Sequence, residues 1–397
     1  MARGDDHVDA RPRAGRPAAR RAASFRRGLR NRHPLVLVAA VVLAAAFLVG
    51  VETLLRAGAF TAVPEGRFVR YRNDDNAHVT YLMARLREAP PGGATVYLLG
   101  GSATMESFLS ERSLAADVNR AAGGEVGLVS LAAHSQSLAE SLALVENLPE
   151  GPGLLAVGLA PMRFTNGPGD DAGLLFGEPF FLRSSRVRAL LQEEPAGLVP
   201  VDTLVPGAIR YVVGYVRERR HDGLALLADV GYSEHYTLNG PLHSASQKLE
   251  MASRDVAEDG ARYAQYADYN FSVLEALVVL ARERGFAVVF FDQPLNGHVL
   301  GAEWEGVVPS YRQRAAALAA RLGVPYLDVA QRVTLEDRDF LDVYHLVIRG
   351  RLKWQPVFAR QLGAALRSTG LATTAPASGG ALSTQAEAAA SSWGVPE

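Results

Sequence analysis

The chain opens its hydrophobic patterning with an unbroken apolar run. From Pro34 to Val51 (PLVLVAAVVLAAAFLVGV) no charged or strongly polar side chain occurs. That length is at the low end of what spans a hydrocarbon core of ~30 Å as a helix. Glu52 closes the run, and Leu54, Leu55 and Ala57 extend its apolar character. Residues 57–94 form a linker with one predicted helix, Asn76–Glu88. From Thr95 the rhythm changes to short apolar runs alternating with amphipathic stretches, the pattern of β-α-β units on a parallel sheet. Strands are predicted at Thr95–Leu99, Val126–Ala132, Leu154–Leu159, Ala287–Asp292 and Pro325–Val329. Helices are predicted at Ala103–Arg120, Ser137–Asn147, Phe271–Arg284, Tyr311–Leu322 and Arg349–Arg367. Residues 165–265 break this rhythm with Gly, Pro, Arg and aromatics and a weaker helical stretch at Pro206–Glu218. They read as an insertion or cap over the sheet. Residues 369–397, mostly Ala, Ser, Thr and Gly, are expected to be disordered.

Charge changes the picture at the N-terminus. Residues 1–33 carry ten arginines and three acids, Asp5, Asp6 and Asp9, and read as a disordered basic tail. Positive flanks are retained in the cytoplasm, so the main domain is expected outside it, on a single-pass anchor at 34–56. A signal peptide has a shorter apolar core and a much shorter basic region. A core helix rarely follows an Arg-rich tail broken by Pro and Gly. The rest of the chain is mildly acidic, which points away from nucleic acid. The absence of cysteine excludes disulfides, thiolate metal sites and a cysteine nucleophile.

Two elements carry candidate chemistry. Gly100-Gly101-Ser102 follows the first strand and opens a helix. The carboxyl edge of a parallel sheet is where open α/β folds place their sites. Glycine permits a tight turn and leaves room beside the hydroxyl, and a neighbouring backbone N–H can hold an oxyanion. The second element is Asp342-Val-Tyr-His345, ahead of the last helix. A serine nucleophile needs a base, and the base needs a group that sets its tautomer. Alone, a Gly-Gly-Ser turn is usually a turn and an Asp-x-x-His a surface loop.

Together, these elements resemble the SGNH/GDSL hydrolase family in its three-layer α/β sandwich. Ser102 matches the family's nucleophile, and Asp342 and His345 its C-terminal Asp and His. The likeness covers about 95–167 and 271–367 of the predicted 95–368 domain. With the anchor, it points to the envelope branch, whose members serve O-acetylation of alginate and other polysaccharides and D-alanyl transfer to teichoic acids. The resemblance implies a serine esterase or acyltransferase acting on O-acyl esters of an envelope polysaccharide, needing no cofactor and no metal. The membrane, the acylated polymer and a membrane-bound acyl donor protein are the implied partners. Three positions depart from the pattern. Gly101 stands where the family has Asp. Ser135, in Ala132-Ala-His-Ser135-Gln136, stands nearest the place of the oxyanion glycine, where its backbone N–H still serves. Gly158-Leu-Ala160-Pro161 lacks the oxyanion Asn, a loss that typically costs ~10²–10³ in rate. Gln136, Arg163 and Asn166 are the nearest replacements. The missing Asn and the large insertion also fit a non-catalytic scaffold or binding subunit of a polysaccharide assembly complex.

Other polar groups keep open roles. His134 either lines the site or contacts the acyl group. Asp292-Gln-Pro-Leu-Asn296 either touches substrate or caps a helix. His221, His235 and His243 match no tight metal pattern. Tyr232, Tyr236, Tyr263, Tyr266 and Tyr269 either line a sugar groove or pack the cap.

Overall fold

The computed structural model describes residues 34–177, 183–193, 204–226, 228–233, 243–300, 304 and 306–372. The tails expected at 1–33 and from 373 onward, and His235 and Tyr236, lie outside them. The chain divides into two compact units at Ala57/Gly58. In the first, helix α1 (Pro34–Arg56) is long and apolar enough to cross a membrane.

The second unit is α/β. Its five strands, β1 (Thr95–Leu99), β2 (Gly127–Ser130), β3 (Gly153–Leu159), β4 (Phe286–Asp292) and β5 (Tyr326–Leu327), pair in parallel in the order β2-β1-β3-β4-β5. β1, β3 and nearly all of β4 are buried on both faces, which is why they read as continuous apolar runs. Successive side chains point to opposite faces of the sheet. Tyr97, Leu99, Leu155, Val157, Phe286 and Phe290 meet α2 (Asp75–Glu88), α5 (Leu138–Asn147), α9 (Ala245–Glu283) and α10 (Val307–Leu322). Val96, Leu98, Leu154, Ala156, Val289 and Phe291 meet α4 (Glu111–Ala122) and α11 (Ile348–Ser368). The result is three layers with an apolar core on each side of the sheet. Between α5 and α9 lie α6 (Pro168–Gly177), α7 (Ser185–Glu193) and α8 (Val205–His221).

Three predicted elements differ. The stretch 103–120 is two helices, α3 (Ser102–Met105) and α4, because Ser110 takes extended backbone and caps Ser113 N–H. Ser110 to the residues of α4 is thus a new start. The helix expected at Phe271 begins at Ala245 behind a Ser244/Gln247 capping box and crosses the expected insertion end at 265 unbroken. β5 is two residues long; Pro325 offers its carbonyl to Phe290 N–H but has no N–H to return.

The path runs from β1 outward to β2, then back across β1 to β3. The strand order therefore reverses at β1/β3, and the crevice beyond the carboxyl ends there is the position where such sheets bind ligands. Ser102 follows β1, and the Ala160–Asn166 segment follows β3.

Candidate active site

Local chemistry shapes the end of β1. A Cβ on Gly100 would run into Thr104 Oγ1 and lie 2.9 Å from Gln293 Nε2. A Cβ on Gly158 would meet Thr104 Oγ1 and come within 3.0 Å of the same Nε2. The two glycines leave space for a buried hydrogen bond of 2.5 Å, donated by Gln293 Nε2 to Thr104 Oγ1, which ties the Ser102 turn to the end of β4. Ser102 is the first residue of α3, whose opening N–H groups have no intrahelical acceptor.

Asp342 and His345 sit on a tight hairpin. Leu341 N–H donates to His345 O at 2.8 Å, Val347 N–H to Asp339 O at 3.0 Å, and Phe340 bridges Leu346. Buried Asn296 pins the tip: its N–H donates to Val343 O at 2.9 Å and its Nδ2 to Asp342 O at 3.2 Å. Within the hairpin, Asp342 Oδ1 accepts from the backbone N–H of Tyr344 (2.8 Å) and His345 (2.9 Å). Asp342 Oδ2 lies 2.6 Å from His345 Nδ1, and His345 Nε2 lies 2.9 Å from Ser102 Oγ. Burial pushes the Asp342 carboxyl up, but the His345 hydrogen bond and charge and the two backbone N–H groups outweigh it and hold it below the usual carboxylate range. An ionised Asp342 keeps a proton on Nδ1 and leaves Nε2 to face Ser102 as acceptor.

A buried ion pair joins the two halves. Arg351, on α11, pairs with Glu106, the C-cap of α3; both side chains are fully buried. Arg351 Nε also donates to Leu346 O at 2.9 Å, beside His345. One guanidinium thus holds the helix that begins at Ser102 against the hairpin that carries His345. An arginine within the apolar stripe of the last helix is the sequence signal that would have found it.

These groups open into a cleft of about 570 Å³ whose walls include Gly101, Ser135, Ala160, Met162, Asn166 and Tyr344. α9 adds Met251, Asp259 and Arg262, none of which the sequence reading singled out. Ser135 has φ 55°, the left-handed region that favours glycine. Gln136 and Arg163 also border the cleft, but their polar atoms turn inward. Gln136 Oε1 accepts from Gly100 N–H (3.0 Å) and Ser141 Oγ (2.8 Å), and its Nε2 donates to Leu131 O (2.6 Å). Arg163 donates to the carbonyls of Gln136, Gly158 and Ser137 and to Ser141 Oγ at 2.6–3.2 Å. These two side chains brace the loop after β2; Asn166 also lines the cleft.

His134 lines the cleft, its N–H donating to Asp75 Oδ2 at 2.8 Å. Asp292 is buried and accepts from Tyr311 (3.2 Å) and Tyr326 (2.5 Å), so its loop positions Asn296 and Gln293 and the carboxylate itself is spent inside. Tyr232 stacks on His78 at 3.7 Å and donates to Asp75, Tyr263 is buried in the core, Tyr266 packs against Gly167, and Tyr269 donates to Asp171. His221 is exposed and His243 half-buried, and neither borders the cleft. Among the described residues, no three His, Asp or Glu side chains group as metal ligands.

No family model matches the chain, and no curated protein does. Eight chains of solved structures match. One is the lipase Lip_vut3 from a goat rumen metagenome, 11% identical, covering 70% of this chain and 98% of that one, with a TM-score of 0.31. A likeness of that degree leaves the functional reading to the site itself.

Proposed function

We propose that the protein is a membrane-anchored serine esterase or acyltransferase of the SGNH/GDSL type, acting on O-acyl esters of an envelope polysaccharide. The observation that carries this reading is the chain of contacts Ser102 Oγ–2.9 Å–His345 Nε2 and His345 Nδ1–2.6 Å–Asp342 Oδ2 at the mouth of a cleft. Nucleophile and base are within hydrogen-bond reach, and the base is oriented by a third group.

In this mechanism Ser102 Oγ attacks the ester carbonyl carbon while its proton passes to His345 Nε2. The tetrahedral oxyanion meets backbone N–H groups at Ser102 and Ser135, and the amide of Asn166, a residue lining the cleft, stands in for the Asn absent at Ala160. His345 returns the proton to the departing alcohol oxygen, leaving an acyl ester on Ser102. A water or a polymer hydroxyl, deprotonated by His345, then takes the acyl group. Asp342 stays ionised and stabilises the imidazolium. What supports the anchored, outward-facing part is α1 and the arginines before it; a membrane-bound acyl donor protein is the partner this arrangement suits. The test is acetate release from, or acetyl transfer to, an O-acetylated polysaccharide by the full-length protein. Activity lost in Ser102→Ala and His345→Ala supports the proposal. Equal activity in either variant overturns it, and inactivity of the folded wild type favours the scaffold role.

A further inference from the structure

Helix α8 carries an apolar face that stands exposed among the described residues. Ile209, Val212 and Val213 are 58, 57 and 62% exposed, and the half-buried Val216 continues the i, i+3, i+4, i+7 stripe. The exposed charges of the helix are mostly basic: Arg210, Arg217, Arg220 and His221, against half-buried Glu218, with Asp222 just beyond. The opposite face is bound into the fold. Buried Arg219 donates to the carbonyls of Val69 (2.8 Å) and Gly66 (3.2 Å), Tyr215 OH to Arg67 O (2.9 Å), and Tyr211 OH to Phe68 O. α8 is therefore fastened to residues 66–69.

That attachment bears on what covers the stripe. α1 ends at Arg56, and ten residues later the chain is clamped on α8. Extended, ten residues reach no more than about 35 Å. An apolar stripe with Arg210 and Arg217 along one side and Arg220 at its end, on a helix joined to a membrane-length helix through residues 57–66, has the make-up of an interfacial helix. We infer that α8 lies in the headgroup layer of a bilayer with anionic lipids, apolar stripe down, and that this seats the second unit on the membrane. Arg210 and Arg220 meet the phosphates, with Arg217, ion-paired to Glu218 at 2.7 Å, beside them, and Ile209, Val212 and Val213 enter the acyl boundary. The inference rests on the anchor reading for its choice of lipid over a second copy of the chain.

The chain has no cysteine, so single-cysteine labels are clean. Full-length Val213→Cys, Val41→Cys and Leu352→Cys, each carrying bimane, are placed in nanodiscs of phosphatidylethanolamine and phosphatidylglycerol with brominated acyl chains. Val41 reports α1, and Leu352 is an exposed control on α11. The expected result is quenching at 213 and 41, several-fold deeper than at 352. No quenching at 213 with quenching at 41 overturns the inference and leaves the anchor standing. No quenching at either overturns both. Quenching at 213 alone supports the inference against the anchor. A blue-shifted 213 label that bromine does not quench means a second copy covers the stripe and overturns the inference.

Discussion

Replacing Asp342 by Asn changes one atom and leaves the shape of the site intact. Asp342 Oδ1 accepts two backbone N–H groups, at 2.8 and 2.9 Å. An Asn must keep its oxygen there, because its NH₂ would oppose two donors and leave them unsatisfied. The amide nitrogen then faces His345 Nδ1 across the 2.6 Å contact now made by Oδ2. It can only donate, so the imidazole must carry its proton on Nε2, where it no longer accepts from Ser102 Oγ. In serine triads that wrong tautomer costs about 10⁴ in kcat, or about 5.4 kcal/mol at 1.36 kcal/mol per decade. The assay is hydrolysis of p-nitrophenyl acetate beside a thermal melt. Asp342→Asn should lose about four decades of rate and keep the wild-type melting temperature. A folded variant within about tenfold of wild type would refute tautomer control by Asp342.

Three further outcomes concern the Arg351–Glu106 pair, the backbone at Ser135 and the buried Glu140 carboxyl. Arg351→Met leaves Glu106 buried without its cation and should destabilise by about 3–5 kcal/mol in urea unfolding, whereas Arg351→Met with Glu106→Leu recovers most of that loss; equal stability of single and double variants contradicts the brace. Ser135→Gly relieves a left-handed backbone and should gain about 1 kcal/mol, with ester turnover retained because the backbone N–H remains; abolished turnover in a folded variant would show that the hydroxyl acts. Burial pushes the Glu140 carboxyl up to about 8, so the folded state holds a proton that the unfolded state has released above its ordinary value of 4.5. The stability contribution therefore falls as pH rises from 4.5 towards 8. Glu140→Gln keeps the side-chain oxygen that accepts Ser137 N–H and should flatten the fall in melting temperature by several degrees between pH 5 and 8; a wild-type slope in the variant counts against it.

The strands were legible where burial on both faces made them uniformly apolar, as in Thr95–Leu99 and Phe286–Asp292. The first half of α9 was not, because part of it faces the cleft through Met251, Asp259 and Arg262 and shows no apolar stripe to a sequence reading. Ser102 and the Asp342–His345 pair could be singled out since each borders a regular element, Ser102 after β1 and Asp342–His345 before α11, and has a residue type suited to its chemistry. Gln136 and Arg163 lie near the site by position, but the direction of their polar atoms depends on carbonyls of β3 and of Ser137, the N-cap of α5, that sequence spacing does not reveal. Glu106 and Arg351 pair across 245 residues, so nothing local marks them as partners. The left-handed backbone at Ser135 likewise shows only in the structure.

Activation of Ser102 by His345 is read out by covalent labelling of the full-length protein with a fluorophosphonate, followed by mass spectrometry at peptide level. One adduct is expected, on Ser102, formed in the wild type and lost in His345→Ala although the serine is still present. An adduct elsewhere, or labelling of Ser102 that proceeds equally well without His345, would contradict that activation.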